Sequence, residues 1–169
     1  MSLRHLRIVW LAAWLGLTGC ATVVSPPSAP RATAAQADAA WSRVLQRFVN
    51  ARGEVDFNAL AQDRADLDLY VQFVADTPLA GFSDREQRLA HMINAYNALS
   101  MFNVVDSGIP TTHAGLKKVT FFVLRKLTVG GQSLSLYAFE NDVIRPFTRE
   151  IGEPRVHFAL NCRDRKSVV

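Results

Sequence analysis

Between Ser83 and Pro110 the sequence carries one long helical segment that turns apolar nearly all round toward its end, with Met101, Phe102, Val104 and Val105 in close succession. A helix with no polar face is stable only when other elements surround it, so the remainder of the chain is expected to wrap this segment. Ser83 and Glu86 are spaced as a capping box, in which hydroxyl and carboxylate satisfy backbone donors at a helix start. Leu89, Met92, Ile93 and Tyr96 continue the apolar face, and Gly108 and Pro110 end the segment.

Two helices are expected before it. Trp41, Val44, Leu45, Phe48 and Val49 form a one-sided stripe that Gly53 can terminate, and Leu67, Tyr70, Val71 and Val74 form another that runs up to Pro78, with Val55-Asp56-Phe57 extended between them. After Val119 the period changes. Leu127 and Val129, then Leu134 and Leu136, alternate on either side of Gly130-Gly131, which predicts a β-hairpin. Ser135 can cap a short helix with Leu136, Phe139, Val143 and Ile144 inward, stopped by Pro146. Val156, Phe158 and Leu160 alternate within Arg155 to Asn161 and read as a strand with one apolar face. Helices grouped before a few strands predict a predominantly helical α+β fold: three N-terminal helices, a hairpin, a short helix and a strand.

The two ends bound the domain. Residues 1–19 read as a lipoprotein signal peptide: Arg4 and Arg7 precede the apolar run Ile8 to Leu17, which is too short to span about 30 Å of hydrocarbon. Leu17-Thr18-Gly19-Cys20 has the form of a lipobox, which makes Cys20 the lipid attachment site, and Ala21 after it points to the periplasmic side of the outer membrane. Residues 20–40, rich in alanine and proline, are expected to be a disordered tether. That leaves 41–162 as the domain and 163–169 as a non-native tail, since Asp164 to Val169 matches the translation of a sequencing adapter. Of the formal +4 charge, two units lie in the first twenty residues and two in the last seven. A neutral middle gives no reason to expect nucleic acid as a partner; the partners implied are the membrane, through the lipid, and a peptide or protein.

Four segments together resemble the family called domain of unknown function 547 (DUF547). They are Gly53 to Phe57; Leu89-Ala90 with Ile93 to Leu99; Leu136 with Phe139-Glu140, Ile144 and Arg145; and Pro154 to Cys162. An aromatic pair is typical of the family where His91 and Met92 stand here. The family also continues past Cys162 with a further cysteine and more helix, so the resemblance implies a C-terminally incomplete domain. It implies no established activity.

Several residues are candidates for chemistry. Asn94 and Asn97, three apart on one side of the long helix, either tie neighbouring backbone into the core or bind a substrate. Glu140 is expected to be pinned by Arg145 or Arg155, and Arg155 is grouped with the two asparagines as a polar core. Cys162, His157 and Glu140 could form a thiol-nucleophile set of the papain or transglutaminase kind, although residues five apart in a strand point to opposite faces. A core histidine and an inert thiol are the competing reading. With one cysteine left after Cys20, a structural metal site is not expected, and the sequence implies no cofactor. Two functions stay open: a non-enzymatic envelope module that binds a peptide or protein, and a thiol hydrolase or acyl transferase.

Overall fold

A computed structural model describes residues 21–110 and 115–160. The chain runs β1 (Thr22–Val23), α1 (Ala34–Phe48), α2 (Phe57–Gln62), α3 (Ala65–Asp76), α4 (Arg85–Asp106) and α5 (Leu116–Val119), which a π-helical turn (Thr120–Leu124) continues. Then follow β2 (Arg125–Val129), β3 (Gln132–Leu134), α6 (Leu136–Ala138), a second π-helical turn (Phe139–Ile144), α7 (Arg145–Glu150) and α8 (Val156–Ala159). The fold is α+β and predominantly helical.

α4 is the axis of the molecule. Its second half is buried from Ala98 through Val105, as a helix without a polar face requires. Asp84, not Ser83, caps it: the Asp84 carboxylate accepts from the Gln87 N–H at 2.7 Å. Asp and Ser are near-equal caps, and the spacing to Glu86 did not decide between adjacent residues. α1 and α3 pack side by side, with Trp41 and Tyr70 stacked at 5.3 Å between ring centres. Burial and, secondarily, the charge of Asp38 push the Tyr70 phenol above its ordinary range.

The hairpin docks on the end of α3. Gly130 and Gly131 donate their N–H groups to the Val74 and Ala75 carbonyls at 2.9 and 2.8 Å, capping carbonyls that a helix end leaves free. β2 pairs antiparallel with β3 (Leu127↔Leu134) and parallel with β1 (Thr22↔Arg125). A buried amide joins sheet to axis: Asn103, fully buried, donates to the Phe121 carbonyl at 3.1 Å and accepts from Arg125 Nε at 2.5 Å, while Arg125 also pairs with Asp106.

Four further expectations change. The segment 20–40 is not a tether throughout: β1 adds to β2, Val24 is buried, and α1 begins at Ala34 behind a capping box of Thr33 and Gln36, with Ala37 and Ala40 in the core. Alanine is too small to mark an apolar stripe, yet its burial lets helices approach. Val55 to Phe57 is not simply extended, because Asp56 caps α2 and Phe57 begins it. Pro146 does not stop the helix. The preceding turn is π-wound, with the Arg145 N–H reaching Glu140 O, and that widening accommodates a ring that would otherwise clash with the carbonyl of residue 142. Of the stretch read as a strand from Arg155 to Asn161, the described residues 155–160 are not one, for Val156–Ala159 is helical and the Leu160 N–H bonds to Val156 O. Val156 and Leu160, four apart, share one buried helical face, whereas Phe158 points out at 92% exposure; a spacing of four fits both periods.

Candidate functional site: a cavity between α1 and α4

A cavity of about 260 Å³ opens between the C-terminal half of α1 and the middle of α4. Asn94, Asn97, Met101 and Val104 face it from α4, at a spacing that keeps one helical side toward α1. Trp41, Leu45 and Val49 face it from α1, Gly53, Val55 and Phe57 close one end, and Ala159 of α8 closes part of the rim. Stretches from three of the four DUF547-like segments therefore meet around one space.

The rim at residues 50–54 is held stiffly. Asn50 Oδ1 accepts from the N–H groups of Arg52 and Glu54, Asn50 Nδ2 and Arg52 both donate to Glu54 Oε2, and Val49 bridges Val55. Gly53 sits at φ +77, a conformation that favours glycine. Hydrogen bonds from Asn50 first, then Arg52, hold the Glu54 carboxyl below its ordinary range.

The two asparagines do different things. Asn97 Nδ2 donates to Ala159 O at 2.9 Å and so joins α8 to α4. Asn94 is half-buried and its side chain makes no hydrogen bond among the described residues; the residue lines the cavity. Trp41 adds an indole N–H that is buried without a partner in a residue of the cavity wall. Apolar walls with a few unsatisfied donors and acceptors are the general make-up of a ligand site.

A family model, Protein of unknown function, DUF547, matches residues 79–168. The chain belongs to this family. No curated protein and no solved structure matches it. The matched range gives the DUF547 domain the α4 and α8 walls of the cavity; the α1 wall and the Gly53–Phe57 rim precede it.

Glu140 lies elsewhere in the DUF547 domain. Its carboxylate accepts from Arg145 at 2.7 Å and from the Tyr96 hydroxyl at 3.2 Å. Tyr96 and Asn97 are successive on α4 and so about 100° apart around it, and Glu140 is not part of the cavity wall. Arg155 is not part of a polar core. It is exposed and pairs with Glu153 at 2.5 Å, and hydrogen bonds from Arg155 hold the Glu153 carboxyl down to about 2. Two charges two residues apart in a surface turn find each other without reaching the core.

His157 lies in α8 by its backbone, while its side chain, Cys162 and Cys20 lie outside the described residues, as do the signal peptide and the tail. Among the described residues no group of three or more His, Cys, Asp or Glu is placed to hold a metal ion. Sequence reading missed the cavity's α1 side, because Trp41, Leu45 and Val49 look like any core stripe. It also missed Asn103, the amide that the core does enclose.

Proposed function

We propose that this chain is an envelope lipoprotein, anchored through Cys20, that binds a short peptide or protein segment in the cavity between α1 and the DUF547 helix α4. The observation that carries the reading is Asn94: a half-buried amide, free of partners among the described residues, on the wall of an otherwise apolar space. An amide offers one donor side and one acceptor side, which matches the hydrogen-bonding pattern of a peptide group. A volume of about 260 Å³ falls just below the 300–1,000 Å³ typical of sites for drug-sized ligands, which suits one or two residues of a chain. The engagement of Glu140 by Arg145 and Tyr96, away from the cavity, favours a binding module over a thiol hydrolase built on Cys162, His157 and Glu140.

Titration with capped dipeptides bearing one apolar side chain, followed through the backbone amide resonances of Ser100, Met101 and Val104, tests the binding. Saturable shifts at these residues are expected, with Asn94→Ala weakening affinity roughly two- to tenfold, the value of one net hydrogen bond. No shift, or affinity unchanged in Asn94→Ala, overturns the cavity as the binding site. The anchor is tested separately by incorporation of labelled palmitate, which Cys20→Ser is expected to abolish.

A further inference from the structure

Exposed large apolar side chains recur on two segments that adjoin the start of β2. Val23, Leu116, Val119 and Val123 are four of the seven among the described residues, with Leu116 at 85% and Val23 at 67% exposure. Single exposed apolar residues are ordinary, but a contiguous, polar-rimmed group marks an interaction site. Leu116, Val119 and Val123 are spaced three and four apart along α5 and the turn that continues it, so they form one outward stripe, while Phe121 turns inward. The turn ends at Leu124, and the next residue, Arg125, starts β2. There Val23 stands opposite Lys126 in register, and cross-strand partners share a face. The stretch 115–129 holds Lys117, Lys118, Arg125 and Lys126 and no acidic residue. Arg125 is engaged by Asp106 and Asn103; Lys117 is exposed beside the stripe.

The place where the chain enters the fold adds the second observation. Thr22 pairs with Arg125, and Cys20 precedes Thr22 by two residues, a length that spans at most about 7 Å. An acyl chain on Cys20 is therefore tethered within that reach of the Thr22–Arg125 pair, where β2 follows the stripe.

We propose that Val23, Leu116, Val119 and Val123, rimmed by Lys117 and Lys126, dock the domain on an anionic bilayer surface next to its own lipid anchor. The proposal rests on the reading of Cys20 as the lipidated residue. Apolar side chains enter the headgroup boundary while lysine stems lie along it and their ammonium groups meet anionic lipids. A second copy of the same patch would bring lysine against lysine, so charge favours the bilayer over self-association. Because β1 is tied into the sheet, the domain is held at the membrane and does not swing on a long linker.

The test uses the full chain, produced in a bacterium so that Cys20 is processed, in a Cys162→Ser background with a single cysteine at Val119→Cys. An environment-sensitive fluorophore on that thiol is compared with one at Ala51→Cys, an exposed turn residue beyond the far end of α1, after reconstitution in phosphatidylethanolamine–phosphatidylglycerol vesicles. The expected result is a blue-shifted emission and at least threefold weaker iodide quenching at position 119 than at 51, with the difference abolished by Leu116→Glu with Val123→Glu. Mass spectrometry of the same sample reads the lipid on Cys20. Lipid on Cys20 with equal quenching at both positions overturns the docking alone; absence of the lipid overturns the anchor reading and the docking with it. Protection at 119 that grows with the protein-to-lipid ratio identifies a second copy as the occupant and also overturns the proposal.

Discussion

His91 occupies a position where the resemblance leads one to expect an aromatic ring, and it behaves as one: it stacks on Phe82 at 4.6 Å and meets Phe73 edge-on at 5.9 Å. Its Nε2 is buried without a partner, and burial pushes the imidazole down to about 4. An unfolded histidine titrates near 6.5, so between those values the unfolded chain binds the extra proton. Stability contributed by the neutral ring is complete above about pH 6.5 and is lost as pH falls toward 4, by on the order of 2–3 kcal/mol. His91→Phe should remove that slope, so urea denaturation at pH 7 and pH 5 is expected to give a larger loss for the parent than for the variant; parallel losses would show that the ring does not titrate as argued. Two asparagines of α4 that differ in burial make a second contrast. Asn103→Leu removes the acceptor of Arg125 Nε and one hydrogen bond to the Phe121 carbonyl from the core, at about 1–3 kcal/mol for a buried group left unsatisfied. Asn94→Leu strands nothing and adds apolar volume beside a cavity, so its stability is expected to stay within the range of a surface substitution, about ±0.5 kcal/mol. Thermal melts of the two variants side by side check the ordering.

At the level of elements, the hairpin turn is the least forgiving joint. Gly130 has φ +55, and a Cβ there would lie 3.0 Å from both Pro78 Cα and Thr77 O, backbone atoms that cannot rotate away. Gly130→Ala is therefore expected to cost about 1–3 kcal/mol, whereas Gly131→Ala, with φ +81 but open space around the new methyl, pays only for its backbone conformation; equal denaturation midpoints for the two would refute the close approach. The hairpin itself was readable, because Leu127 and Val129 alternate up to Gly-Gly and Leu134 resumes after it, although Leu136, read as part of the same alternation, already begins α6. Helix α4 was readable for a similar reason, its apolar girth leaving no alternative to a central position. α8 was not, since Val156, Phe158 and Leu160 satisfy a period of two and the spacing of four at once, and four residues offer no further turn to decide. The continuation through Pro146 was equally hidden, because it depends on where the chain widens into a π-turn, which no residue type announces. Of the candidate site, the α4 face carrying Asn94 and Asn97 was legible as a polar pair on a buried helix. Its partner wall was not, since α1 presents only apolar side chains there.

The molecule as a whole begins earlier than its apolar pattern indicates. Residue 41 is where large side chains start to recur, but the fold enlists Val24 on the sheet, Ala37 and Ala40 against neighbouring helices, and Thr33 with Gln36 at the helix start. Each contribution is small in the sequence because alanine and a two-residue strand leave little signal, and each is structural because the space they fill adjoins α3 and β2. A chain beginning at residue 41 would lose the capping box, about 1 kcal/mol, together with the burial of Val24 and the two alanines. It would also uncover part of β2's edge, leaving backbone donors and acceptors to water. The combined loss is about 3–5 kcal/mol, against a typical total of 5–15 kcal/mol for a domain. Urea unfolding should therefore place the midpoint of the chain from residue 41 well below that of the chain from residue 21, with a smaller m-value because less surface is buried on folding. Coincident transitions would show that residues 22–40 rest on the domain without supporting it, and the tether read from their composition would be the correct description of them.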